Sequence, residues 1–124
     1  MLPLPSRRSL ARLLVALAAA LPTAAPAADE DAVFAALRAG GHAILVRHAI
    51  APGGGDPPGF VLEDCATQRN LSDEGRAQAA RLGQRLRQHG VAVDRVLSSR
   101  WCRALETARL MALAPVEPAL ALDS

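Results

Sequence analysis

Lysine and tyrosine are both missing from the 124 residues, and the aromatic content is two phenylalanines and one tryptophan. All 14 basic side chains are therefore arginines, a bias that fits a GC-rich coding sequence better than a function. So few flat rings, with no dense basic run, remove the stacking platform and the electrostatic stripe that a nucleic-acid binder needs. The net charge of +2 carries no message either: without Arg7, Arg8 and Arg12 the 14 cations fall to 11, one fewer than the 12 acids. Histidine is scarce, and His42, His48 and His89 have neither metal-ligand spacing nor an acidic cluster beside them, so no metal and no other cofactor is expected. A chain of this length holds at most one domain.

Long apolar runs are lacking too. The apolar run near the start, Leu13 to Leu21, is nine residues, well short of the ~20 that a spanning helix requires. It follows Arg7, Arg8 and Arg12 and precedes Ala25-Pro26-Ala27. A basic start, a short apolar centre and small residues before a cleavage point read as a secretory signal. Residues 1–27 are expected to be removed after Ala27, leaving a domain over 28–124 that is periplasmic or secreted, with no membrane span of its own. Ser6-Arg7-Arg8-Ser9-Leu10 partly resembles a twin-arginine leader, but an ordinary secretory signal is the reading taken.

What the chain does contain centres on Ala43-Ile44-Leu45-Val46-Arg47-His48-Ala49. A short apolar run bounded by glycine predicts a fully buried strand. In open α/β sheets ligands bind at the carboxyl ends of strands, where Arg47 and His48 would stand. Arginine offers a permanently charged fork for phosphate, and histidine a nucleophile or proton carrier near neutral pH. A second apolar run, Val91 to Leu97, ends in Ser98-Ser99 and leads into a helix with Arg103 in its first turn. A helix start with an arginine beside it suits an anion.

Three blocks together resemble the histidine phosphatase superfamily, branch 1, of phosphoglycerate-mutase-like fold. They are Leu45-Val46-Arg47-His48, then Asn70-Leu71-Ser72-Asp73-Glu74-Gly75-Arg76-Ala77-Gln78-Ala79, then Ser98-Ser99 through Arg103-Ala104-Leu105-Glu106-Thr107-Ala108. The resemblance covers roughly residues 40 to 124, with Arg-His-Ala in place of the common Arg-His-Gly. It implies an α/β three-layer sandwich with a mostly parallel central sheet. It also implies a phosphatase in which Arg47 and Arg103 hold a phosphoryl group while His48 attacks it and forms a phosphohistidine. Arg69, just before the Leu-Ser start of a helix, would join the phosphate pocket as in some relatives. The implied substrate is a small phosphomonoester or a cell-envelope sugar phosphate. A mutase fits an exported chain poorly, and the Arg-His-Gly-x-Arg-x-Pro branch does not match Ala49 to Gly53.

The rest of the chain gives local readings. Asp29 to Ala39 is an amphipathic helix with Val33, Phe34 and Leu37 on one face and Gly40-Gly41 as its stop. The Gly- and Pro-rich stretch from Ala49 to Arg69 is a long loop that borders the substrate. Ser72 to Gln88 is a helix capped by Ser72, with Gly75, Ala79, Leu82, Gly83 and Leu86 packing closely on a sheet. Arg76, Arg81, Arg85 and Arg87 form its solvated face, His42 is solvated, and His89 is structural. Arg103 to Ala112 is a helix with Leu105, Ala108 and Ala112 inward, ended by Pro115 and Pro118, and Ala119 to Leu122 begins another element. Cys65 and Cys102 can form one bridge in an oxidising compartment, or stay as two thiols. Neither heads a C-x5-R phosphate loop, because the residues six places on are Leu71 and Ala108.

The family pattern also calls for a second histidine on a later strand end and for an acid to protonate the leaving oxygen. After Arg103 there is no histidine, and the later acids are Glu106, Glu117 and Asp123. The expectation is an N-terminal portion of the domain with its C-terminal part missing. The chain would then be either the phosphatase or a truncated, catalytically inactive phosphate-binding remnant of one.

Overall fold

The computed structural model describes residues 29–123; the leader expected over 1–27 lies outside them. Helix α1, Glu30–Ala39, starts where the Asp29 carboxylate accepts the Asp31 amide, with Glu30 and Asp31 in the first turn. Acids there satisfy free amides and suit the positive end of the helix dipole. Phe34 is buried and Leu37 half-buried, but Val33 is 47% exposed, so the predicted apolar face is narrower than its sequence pattern.

Helix α2, Asp73–Gln88, is capped by Ser72, whose Oγ accepts the Gly75 amide at 3.1 Å. Its buried stripe is Gly75, Ala79, Gly83 and Leu86, while Leu82 turns outward. The stripe packs on helix α3, Cys102–Met111, and on the chain at Ile50, not on the predicted sheet. A Cβ on Gly75 would lie 2.1 Å from the Ile50 carbonyl oxygen, and one on Gly83 would lie 1.9 Å from that of Met111. Glycine is therefore what lets α2 approach both neighbours. In α3 the buried residues are Cys102, Thr107, Ala108 and Met111, and the exposed Ala112 ends the helix at φ 50 in place of packing inward.

Strands β1, Val96–Ser98, and β2, Val116–Pro118, pair in parallel with Val96 opposite Val116 and Ser98 opposite Pro118. Helix α3 is the crossover between them, so the described chain is a small α/β unit with a two-stranded parallel sheet and three helices. The strand expected over Val91 to Leu97 is thus shorter and later, a second strand occupies the Pro115–Pro118 region, and Leu120–Leu122 is a single 3-10 turn. Arg95 with Glu117 at 2.7 Å and Arg100 with Asp123 at 2.6 Å flank the strand pair.

The largest correction concerns Ala43 to Val46. Among the described residues this stretch pairs with no strand, and Leu45 is 93% exposed where burial was predicted. Apolar sequence alone does not bury a strand: neighbours on both edges do, and the two strands present pair with each other.

The core falls into two clusters. Phe34, Leu86, Val91 and Met111 join α1, α2 and the end of α3, and Ala49, Leu71 and Ala79 join the Arg-His segment to α2. His89 stacks on Phe34 with ring centroids 3.7 Å apart, in the structural role expected of it. Of the arginines of α2, Arg81, Arg85 and Arg87 are exposed as predicted and Arg76 is half-buried. Arg76 binds Glu106 at 2.6 Å, Arg85 pairs with Glu30, and Arg87 donates to the carbonyls of Met111 and Ala112.

Candidate active site

Residues 47–51 run as extended chain across the start of α2 and the middle of α3. Two side chains pin them there. The Ala49 amide donates to Thr107 Oγ1 at 3.0 Å, and the Ile50 amide donates to Gln78 Oε1 at 3.0 Å. The Ile50 carbonyl accepts the Ser72 amide at 3.1 Å, on the side where Gly75 leaves room. The result is a rigid seat for His48, half-buried, without a sheet beneath it.

The imidazole is oriented by its own chain: His48 Nδ1 lies 2.7 Å from the Ala49 carbonyl oxygen. A carbonyl can only accept, so Nδ1 carries a proton, and in the neutral imidazole the lone pair then sits on Nε2. Arg47, His48, Arg69 and Gln78 line an open pocket of about 330 Å³ together with the backbone of residues 49–51. The Arg69 side chain reaches this pocket from the far end of the long loop. Its Nη1 donates to the carbonyls of Ala51 and Gly53 at 2.8 and 3.1 Å, while its Nε is buried with no hydrogen-bond partner. Buried guanidinium donors are costly to leave unpaired.

Arg103 does not line that pocket. Its Nη1 lies 2.9 and 3.1 Å from the two carboxylate oxygens of Asp56, with Trp101 against the guanidinium at 4.6 Å. Asp56 also accepts the Arg69 amide at 2.9 Å. That amide, opposed by burial and reinforced by the Arg103 charge, holds the Asp56 carboxyl below its ordinary range. The structure thus brings Arg47, His48 and Arg69 together and sets Arg103 one step away, linked through Asp56.

Cys65 and Cys102 are joined in a disulfide with their Cα atoms 5.6 Å apart. The bridge fastens the long loop to the first residue of α3, next to Arg103. Gln68 supports the same junction: its Oε1 accepts the Cys102 amide at 3.0 Å and its Nε2 donates to the carbonyls of Val61 and Leu62. Sequence reasoning missed Asp56, Gln68, Gln78 and Thr107. Gln78 and Thr107 lie inside the quoted blocks without a role being legible there; Thr107 caps the carbonyl of Arg103, four places before it, at 2.7 Å.

Residues 43–123 match the histidine phosphatase superfamily (branch 1). The chain belongs to that family. It is 39% identical over 72 residues to the mitochondrial serine/threonine-protein phosphatase Pgam5 of Drosophila virilis. Its identity to Pgam5 of Drosophila grimshawi is 38% over 72 residues. Each match covers 56% of this chain and 22% of the relative, so the chain spans about a fifth of the length of these relatives. No solved structure matches the chain. The Arg47–His48 pair lies within the residues that match the family. No helix among the described residues is long and apolar enough to cross a membrane.

Proposed function

We propose that this histidine phosphatase chain hydrolyses phosphomonoesters through a phosphohistidine on His48. The observation that carries the reading is the bond from His48 Nδ1 to the Ala49 carbonyl oxygen, which makes Nε2 the nucleophilic nitrogen of the neutral ring in a pocket that Arg47 and Arg69 also line. Nε2 attacks phosphorus, the P–N bond forms as the ester P–O bond breaks, and the leaving oxygen takes up a proton. Water then displaces the imidazole and releases phosphate. Dividing one hard displacement into two easier ones is the gain from covalent catalysis. Arg47 and the free edge of Arg69 neutralise the phosphoryl oxygens, with Arg103 as a third cation.

The substrate proposed is a small phosphomonoester or an envelope sugar phosphate, and the site is proposed to act in the periplasm or outside the cell after loss of residues 1–27. The exposed apolar segment Ala43 to Val46 favours a wider, three-layer sheet in which that segment has strands on its edges.

The test is rapid-quench labelling of the 124-residue chain with a phosphoryl donor. The donors compared are p-nitrophenyl phosphate, a sugar 1-phosphate and phosphoserine and phosphothreonine peptides, the last pair prompted by the relatives' names. Acid-labile, base-stable label that disappears in His48→Ala is expected. Turnover that survives in His48→Ala would sink the reading. Phosphate binding with neither label nor turnover would support the non-catalytic, phosphate-binding alternative.

A further inference from the structure

The contact that this chemistry leaves unused is the one between Asp56 and Arg103. The two side chains are 11% and 12% exposed, so the pair is not a surface ornament. A guanidinium and a backbone amide converge on one carboxylate, with Oδ1 shared between Arg103 Nη1 and the Arg69 amide at 2.9 Å each. Proteins hold oxyanions with this combination of donors. Here the oxyanion is the protein's own.

The segment that delivers Asp56 has few other anchors. Gly53-Gly54-Gly55 precede it and Pro57-Pro58 follow it, and all five are exposed. At one end the Gly53 carbonyl accepts Arg69 Nη1 at 3.1 Å, and at the other the tether is Phe60, whose ring centre lies 4.9 Å from that of Trp101. The same indole lies 4.6 Å from the Arg103 guanidinium. Arg103, its carboxylate and the tether therefore meet at Trp101. Meanwhile the Arg103 backbone is tied through Thr107 to Ala49, next to His48. The base of the arginine is fixed beside the pocket while its charged end is turned to Asp56.

Building on the phosphatase reading above, we propose that Asp56 is a built-in occupant of a phosphate seat on Arg103. A substrate phosphoryl group takes the guanidinium from the carboxylate, and residues 53–60 move away from Trp101 as it does. The exchange selects by charge. A phosphomonoester near neutral pH carries up to two negative charges and the carboxylate one; a phosphodiester carries only one and gains little by the exchange. Asp56 is thus a specificity-determining residue that favours monoesters.

Trp101 is the only tryptophan in the chain, so its emission reports the exchange. The full chain is titrated with inorganic phosphate, alongside Asp56→Asn and Asp56→Ser. A saturable change in wild-type emission is expected. Both variants should start near the phosphate-bound emission and bind phosphate about tenfold tighter or more, the reciprocal of an open fraction near one in ten. Phosphate that saturates the wild type without changing Trp101 emission overturns the proposal, and this arm stands even if a variant fails to fold. Folded variants that bind phosphate no tighter than wild type, or not at all, also overturn it and make Asp56 a brace. The labelling of His48 is read separately. Exchange at Asp56 without label removes the enzymatic reading alone, and label without tightening in the variants removes this one alone.

Discussion

A single hydroxyl on Thr107 joins the two cationic parts of the site. It donates to the Arg103 carbonyl oxygen at 2.7 Å and accepts the Ala49 amide at 3.0 Å. Thr107→Val keeps the shape and removes both bonds. The Ala49 amide, in a residue only 8% exposed, is then left unpaired, at a cost of about 1–3 kcal/mol. Because the Ala49 carbonyl holds His48 Nδ1, the imidazole should lose its fixed orientation as well. The expected outcome is a lower midpoint in urea denaturation together with reduced phosphoryl labelling of His48, both largely restored in Thr107→Ser. Normal labelling in a folded Thr107→Val would show that Ala49 is positioned by other means. The division between what could and could not be read from sequence is sharp at this scale. Arg47, His48 and Arg69 are legible because they sit in contiguous motifs. Asp56 and Thr107 act across separations of 47 and 58 residues, to Arg103 and Ala49, and no local pattern marks such a pair.

Helix boundaries follow from local chemistry, which is why the elements were read so unevenly. The Ser72 cap, the acids of the first turns and the glycine that follows α1 all act within a few residues of the helix ends, and the predicted helices form within a residue or so of their expected limits. Strand formation depends on a distant partner, so the apolar stretch Ala43 to Val46 carries no ladder while Val116–Pro118, ending in a proline, does. The small residues of α2 mark a close-packing face in the sequence, but the partner expected there is a sheet and the partners found are α3 and Ile50. That distinction is testable. Helix propensity alone makes Gly→Ala within a helix favourable by about 1 kcal/mol. At Gly83 the new Cβ meets the Met111 carbonyl oxygen at 1.9 Å, and at Gly75 it meets that of Ile50 at 2.1 Å. Both alanine variants are expected to be destabilised, by about 1–3 kcal/mol, the usual scale of overpacking. Their effects on chemistry should differ: Gly75→Ala displaces the segment that seats His48 and lowers labelling, whereas Gly83→Ala disturbs the far end of α2 and leaves labelling of the remaining folded protein intact. A gain in thermal stability for either variant would refute the packing.

At the scale of the whole molecule, the two apolar clusters are small, and the long loop that carries Asp56 and Arg69 contributes little to either beyond Ala49 and Ala51. Small cores of this kind depend on cross-links. The Cys65–Cys102 bridge closes a loop with a sequence separation of 37, for which chain entropy gives about 4 kcal/mol of stabilisation. Reduction, or the double change Cys65→Ser and Cys102→Ser, is expected to lower Tm by about 10 °C or more. The loss should also be uneven. The cluster of Phe34, Leu86, Val91 and Met111 lies on α1, α2 and the end of α3 and does not include the bridge, whereas the amides of Ala66, Arg69 and Cys102 are all held by side chains at the bridged junction. Hydrogen exchange on the reduced chain should therefore show those three amides losing protection well before the amides of α2. An even loss across α2 and the junction would mean that the bridge stabilises the chain as one unit. Two titratable thiols in the air-oxidised protein, with no change in Tm on adding reductant, would remove the cross-link from the account altogether and leave the Asp56–Arg103 pair and Gln68 to tie the loop to the first turn of α3.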